Sequence, residues 1–263
     1  MNTRYNDLIL SQSTAVRTNV LNEIIHAVEP LKCDLDGVLK YSTNIKQWLK
    51  PVIDLTDFHV YPMNGITEGL NWWMAKEHRS IYMDEGDYQW VVTRDSLYED
   101  AIKYISVPSS IDGNMKHVPT TGAVALDLAY VGSTDVKQIK IDKNVEYVFY
   151  SLSKPFGIRN VRTGWYFTRV PDERLEALTN SAKYYNYYAN MIAEKVISNF
   201  DIDFVYKSLY NKQTEICTEL DIVPSDSVWL ATSTKEMYKK FRRSGDTARL
   251  CLAGIYNEQE TLT

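Results

Sequence analysis

Apolar residues recur along the chain in two rhythms. From about Asn6 to Val28, Leu8, Ile9, Val16, Val20, Leu21, Ile24 and Ile25 fall at roughly helical spacing, which predicts one or two N-terminal helices. Gly65 to Ala75 places a flexible residue, the cap candidate Thr67 and then an apolar face in order, as a turn feeding a helix does. Short runs bounded by polar or Gly/Pro residues follow at Ser80–Met83, Ala101–Val107, Gly122–Leu126 and Glu146–Tyr150. These are apolar nearly throughout rather than alternating, as strands covered on both faces are. After Arg169-Val170-Pro171 the pattern turns helical, most clearly from Leu175 to Asn199, and a last strand is predicted at Ala248–Leu252.

Buried strands interleaved with helices predict an α/β fold with a mostly parallel sheet flanked by helices. The divisions expected are an N-terminal helical segment over 1–45, a large α/β domain over 46–168, and a small C-terminal α+β domain over 169–263. At 263 residues the chain is long enough to bury a full core.

Composition narrows the class of partner. The net charge is −5, and no basic block interleaves with aromatics, so neither nucleic acid nor an anionic membrane surface is expected to bind. No apolar run approaches the roughly 20 residues that cross a bilayer, and Met1-Asn2-Thr3-Arg4-Tyr5 lacks the apolar core of a secretory signal, so a cytoplasmic location is expected. Cys33, Cys217 and Cys251 are scattered, as are His26, His59, His78 and His117, and no metal site is expected.

The chemistry-bearing stretch is Ser151-Leu152-Ser153-Lys154-Pro155-Phe156-Gly157-Ile158-Arg159-Asn160-Val161-Arg162-Thr163-Gly164, directly after a predicted strand. A lysine at the carboxyl end of such a strand sits where open α/β sheets place ligands. Desolvated and beside another cation, its amine becomes a nucleophile toward an aldehyde. Arg162, Ser151 and Ser153 supply a cation and hydroxyls suited to a phosphate.

In the order Ser151, Ser153, Lys154, Gly157, Arg162, Gly164 the chain resembles the class I and II aminotransferases of fold type I, most closely the histidinol-phosphate branch. The resemblance implies pyridoxal 5′-phosphate (PLP) bound as a Schiff base on Lys154, with Arg162, Ser151 and Ser153 contacting its phosphate. It extends upstream to Val124-Ala125-Leu126-Asp127-Leu128-Ala129-Tyr130. There it implies that Asp127 pairs with the pyridine nitrogen, strengthening the ring as an electron sink, and that Tyr130 meets the phenolic oxygen. Taken alone, Asp127 reads as a strand-end cap; its position one β unit before the lysine motif favours the cofactor role.

The turn Asn64-Gly65-Ile66-Thr67-Glu68-Gly69-Leu70 is similar to the family's phosphate-binding turn, with the Ile66 and Thr67 amides at a helix N-terminus. Tyr88, with Trp90 as the alternative, falls where the family stacks an aromatic on the ring. Arg249, on the last predicted strand, matches the arginine that grips the substrate carboxylate, a role for which a guanidinium fork is suited. Family members form homodimers and lend a tyrosine to the neighbouring site, a role that falls to Tyr41. Ser110 stands where the family has a ring-orienting asparagine, unless Asn114 takes its place.

The activity implied is transfer of an amino group between an amino acid and a 2-oxo acid. The alternatives are another PLP-dependent reaction (lyase, decarboxylase or racemase) or a non-catalytic binding protein of the same fold. Cys33-Asp34-Leu35-Asp36-Gly37 looks like the nucleophile motif of haloacid dehalogenase-type phosphatases, but neither the apolar strand before it nor a downstream acidic pair is present.

Overall fold

Residues 8–9, 44–93 and 100–260 are described in the computed structural model of the chain, with side chains as far as residue 257. All of the expected N-terminal helix except Leu8 and Ile9, the Cys33 to Gly37 motif and Tyr41 lie outside the described residues.

The strands β1 (His59–Met63), β2 (Ser80–Tyr82), β3 (Ala101–Ser106), β4 (Ala123–Asp127), β5 (Val145–Tyr150) and β6 (Gly164–Thr168) form one sheet in the order β1-β6-β5-β4-β3-β2. Helix α1 (Ile66–Lys76) follows β1. Neighbours from β2 to β5 pair in parallel, whereas β6 runs antiparallel to both β5 and β1. Five strands therefore point one way and β6 alone is reversed, in agreement with the mostly parallel sheet expected.

This topology decides where the chemistry collects. The carboxyl ends of β1, β4 and β5 share one sheet edge with the start of β6, and the register pairs Met63 with Gly164 and Tyr150 with Trp165. Asn64-Gly65, Asp127, the 151–154 loop and Arg162 through Gly164 are thus delivered to a single edge by segments up to 100 residues apart.

The second part begins with α2 (Glu173–Glu176), which Asp172 caps by accepting hydrogen bonds from the amides of Arg174 and Leu175. A π-helical turn (Ala177–Ser181), α3 (Tyr187–Asn199) and α4 (Phe204–Leu220) follow. The strands β7 (Val223–Pro224), β8 (Leu230–Ser233), β9 (Arg242–Ser244) and β10 (Thr247–Cys251) form an antiparallel sheet ordered β7-β8-β10-β9, and α5 (Ala253–Glu260) closes the described chain. The continuous helix expected from Leu175 to Asn199 is broken. Lys183 turns left-handed at φ 53°, the Tyr184 amide folds back to the Leu178 carbonyl, and Asn186 starts a new helix by accepting from the Ala189 amide.

One apolar core runs through both sheets. On the α1 side, buried Trp73 stacks on Tyr104 with ring centres 6.4 Å apart and tilts against Phe149 at 5.7 Å. Pairs of this kind contribute about 0.5–1.5 kcal/mol beyond their buried area.

Candidate active site

At the shared sheet edge lies a cavity of about 140 Å³ lined by Ile66, Thr67, Tyr88, Asp127, Ala129, Ser151, Ser153, Lys154, Arg159 and Arg162. Eight of these were singled out in the sequence; Ala129 and Arg159 were not.

Lys154 sits in the loop after β5. Its Nζ donates to the Tyr130 hydroxyl at 3.2 Å, 4.2 Å from the centre of the Tyr130 ring and 5.6 Å from that of Tyr88. Tyr130 is fully buried and does not itself line the cavity. Its oxygen also accepts from Arg249 Nη1 at 3.4 Å, and the same Nη1 donates to the Ser110 carbonyl at 2.5 Å. Lys154 and Arg249 are thereby tied through one phenol oxygen, although β10 is far from the lysine loop in sequence.

Asp127 ends β4, almost completely buried. Oδ1 accepts from the Ala129 amide at 2.7 Å, and Oδ2 accepts from the Tyr104 hydroxyl at 2.5 Å. Burial pushes this carboxyl up to about 6, opposed by the Tyr104 hydrogen bond, the Lys154 charge and the Ala129 amide; the nearby Asp87 charge pushes the same way as burial.

A cradle of glycines and one arginine flanks the amine. Gly65, at φ 82°, offers no side chain to cap α1, and Glu68 Oε2 instead accepts from the Asn64 amide at 2.5 Å. This leaves the first turn of α1, with its dipole end, at the cavity wall. A Cβ on Gly65 would lie 2.6 Å from Arg162 Nη2, and one on Gly164 would lie 2.7 Å from the Gly65 Cα. Arg162 adopts φ 63° and is fastened by Nη2 to the Asn64 carbonyl at 3.0 Å. Ser153 Oγ is buried with no hydrogen-bond partner among the described residues.

Other residues fall behind this wall. Ser110 does not line the cavity: its hydroxyl donates to Asp87 Oδ1 at 2.5 Å, alongside the Ser106 hydroxyl at 2.6 Å. Asn114 does not take its place, because its Oδ1 accepts from the Asp226 amide. Buried Asp87 was missed because it lies in the acidic run Asp84-Glu85-Gly86-Asp87, which reads as a solvated turn. Arg159, three residues before Arg162 in the same loop, was legible as a second cation. Trp90 is half exposed and donates to Asn71, away from the cavity, whereas Tyr88 lines it. Tyr184 and Tyr185 border a separate cavity of about 480 Å³, with Asn64, Trp72 and Asn186, and no lysine or arginine among the described residues lines it.

An amine, a buried carboxylate, an aromatic ring and a cradle of guanidinium, hydroxyl and helix amides can together hold a phosphorylated aromatic aldehyde. No family sequence model matches the chain, and no curated protein matches it by sequence. Solved structures do. The histidinol-phosphate aminotransferase of Sinorhizobium meliloti, in complex with pyridoxal-5′-phosphate, is similar with a TM-score of 0.64 at 11% identity, covering 95% of this chain and 90% of that one. The aromatic aminotransferase of Pyrococcus horikoshii gives 0.67 at 12% identity, covering 96% and 92%. The histidinol-phosphate aminotransferase of Clostridium acetobutylicum gives 0.61 at 13% identity, covering 95% and 98%. At these identities the likeness shows the architecture, and the chain has the fold-type I fold of PLP-dependent aminotransferases.

Proposed function

We propose that this chain is a PLP-dependent aminotransferase that moves an amino group between an amino acid and a 2-oxo acid. The observation that carries the reading is that Lys154, Asp127, Tyr88, Ser153 and Arg162 line one cavity. The residues fit the cofactor: Ser153 supplies a buried hydroxyl lacking a partner among the described residues, and Gly65, having no side chain, lets the Arg162 guanidinium lie against the α1 turn.

Ser151, Ser153, Arg162 and the first-turn amides of Ile66 and Thr67 would hold the phosphate. Asp127 would face the pyridine nitrogen, Tyr88 the ring, and Lys154 the aldehyde as a Schiff base. Bound there, the cofactor would supply the aldehyde that takes up an amino group and a protonated ring that delocalises charge. Lys154 Nζ would be the group that takes up and returns the proton of the substrate α-carbon. Tyr130, which holds Lys154 Nζ, would meet the cofactor's phenolic oxygen, and Arg249, buried behind the cavity lining, would be the guanidinium for the substrate carboxylate.

The same reading divides the chain at 45/46 and 168/169, pairs it as a homodimer in which Tyr41 of one copy serves the other, and places it in the cytoplasm.

The experiment is direct. Purified protein mixed with PLP is expected to develop Schiff-base absorption that borohydride fixes on Lys154, and Lys154→Ala is expected to lose it. Amino acids added singly should convert the spectrum to that of the pyridoxamine form with release of a 2-oxo acid. Absorption that is absent in the wild type, or unaltered in Lys154→Ala, refutes the proposal; consumption of substrate without the pyridoxamine form moves it to lyase, decarboxylase or racemase chemistry.

A further inference from the structure

Tyr104 is a fully buried phenol on β3, outside the cavity lining, and nothing in the reaction proposed above uses it. The parallel register sets it opposite Ala125 on β4, two residues before Asp127, and its hydroxyl reaches Asp127 Oδ2 at 2.5 Å. Trp73 stacks on one side of its ring at 6.4 Å. Both partners are enclosed, so water does not compete for the bond.

The direction of the proton is fixed by chemistry. Burial and the neighbouring Asp127 charge hold the Tyr104 phenol far above its ordinary range, so it keeps its proton and donates. The carboxylate is the acceptor. The charged or titratable groups acting on Asp127 are Tyr104 from β3, Lys154 from the loop after β5, and Asp87 from the loop after β2. Lys154 and Tyr104 favour the ionised form, whereas burial and Asp87 oppose it.

We propose that Tyr104 is a positioning residue that keeps Asp127 ionised and fixes its rotamer through the Oδ2 hydrogen bond, leaving the remaining lone pairs for a cationic ring N–H. This rests on the aminotransferase reading for its purpose, but the bond between the two side chains does not. A protonated Asp127 cannot stabilise a positive pyridine nitrogen as a counter-ion. Tyr104 would thus act on the cofactor without touching it.

The test is a carboxyl ¹³C NMR titration of the full chain freed of cofactor, with Asp127 assigned by Asp127→Asn. Asp127 should titrate near 6 in the wild type, and in Tyr104→Phe at least one pH unit higher, a change of about tenfold in its acid dissociation constant. A merely structural role for the ring would leave this value unmoved, and an unchanged titration overturns the proposal. Should Tyr104→Phe fail to fold, the wild type decides: the Tyr104 Cζ resonance should step at the pH where Asp127 titrates, and a flat Cζ profile overturns the proposal. PLP binding, followed by absorption in the same samples, keeps the two readings apart. A wild type that does not bind PLP sinks the aminotransferase reading, whereas PLP binding with an unmoved Asp127 sinks the Tyr104 proposal alone.

Discussion

Gly164 packs on Gly65 so closely that a Cβ on the first would lie 2.7 Å from the Cα of the second. The contact joins the first residue of β6 to the residue before α1, and Arg162 is threaded beside it. Gly164→Ala is expected to push the α1 turn away from the lysine loop and to cost about 1–3 kcal/mol by overpacking. Denaturant unfolding should show the loss, and PLP affinity should fall with it. An unchanged affinity in Gly164→Ala would mean that the turn does not contribute to the cofactor site.

Arg162 carries a charge and also a hydrogen bond to the Asn64 carbonyl. Arg162→Lys retains the charge but loses the planar fork, so PLP affinity should drop by about tenfold or more. Pyridoxal, which has no phosphate, should bind the variant and the wild type alike. Equal losses for both ligands would show that Arg162 does not face the phosphate.

Ser110 gives its hydroxyl proton to Asp87. Ser110→Ala is therefore expected to act on stability, by about 1–3 kcal/mol for a buried acceptor that loses one donor, and only weakly on cofactor affinity. Urea unfolding beside a PLP titration separates the two. A large loss of affinity at unchanged stability would return Ser110 to direct cofactor contact.

Asp127 has a folded value near 6 against an ordinary carboxyl near 4, so between these the folded protein binds more protons than the unfolded chain. Its favourable contribution is present below the unfolded value and is lost as pH climbs through about 6. Relative to Asp127→Asn, the cofactor-free wild type should lose on the order of 3 kcal/mol between pH 4 and pH 7. Paired unfolding curves at several pH values measure the difference; parallel curves would contradict the assigned burial cost.

The lysine loop, the β4 carboxylate and the α1 turn were legible in the sequence because each joins a recognisable strand or helix end to an unusual polar residue. β1 was not. Pro62 interrupts its apolar run, a residue that a ladder accepts on an edge strand, which is where β1 lies. β6 follows the loop so directly that Trp165-Tyr166-Phe167 reads as its continuation, although all five strand residues are buried. The helix break at 182–186 depends on backbone closure between Tyr184 and Leu178, which no apolar period encodes. Tyr104, Asp87 and the shared phenol oxygen of Tyr130 arise from register across strands and loops, so only the folded chain brings them together.

The two ends of the large sheet have a consequence for how copies of the chain could meet. One margin is β1, where Pro62 lacks an N–H, and the other is β2, which is only three residues long. Neither offers a long, flat row of backbone donors and acceptors for a foreign strand to zip onto. Among the described residues, growth of this sheet from molecule to molecule is thus blunted at both margins.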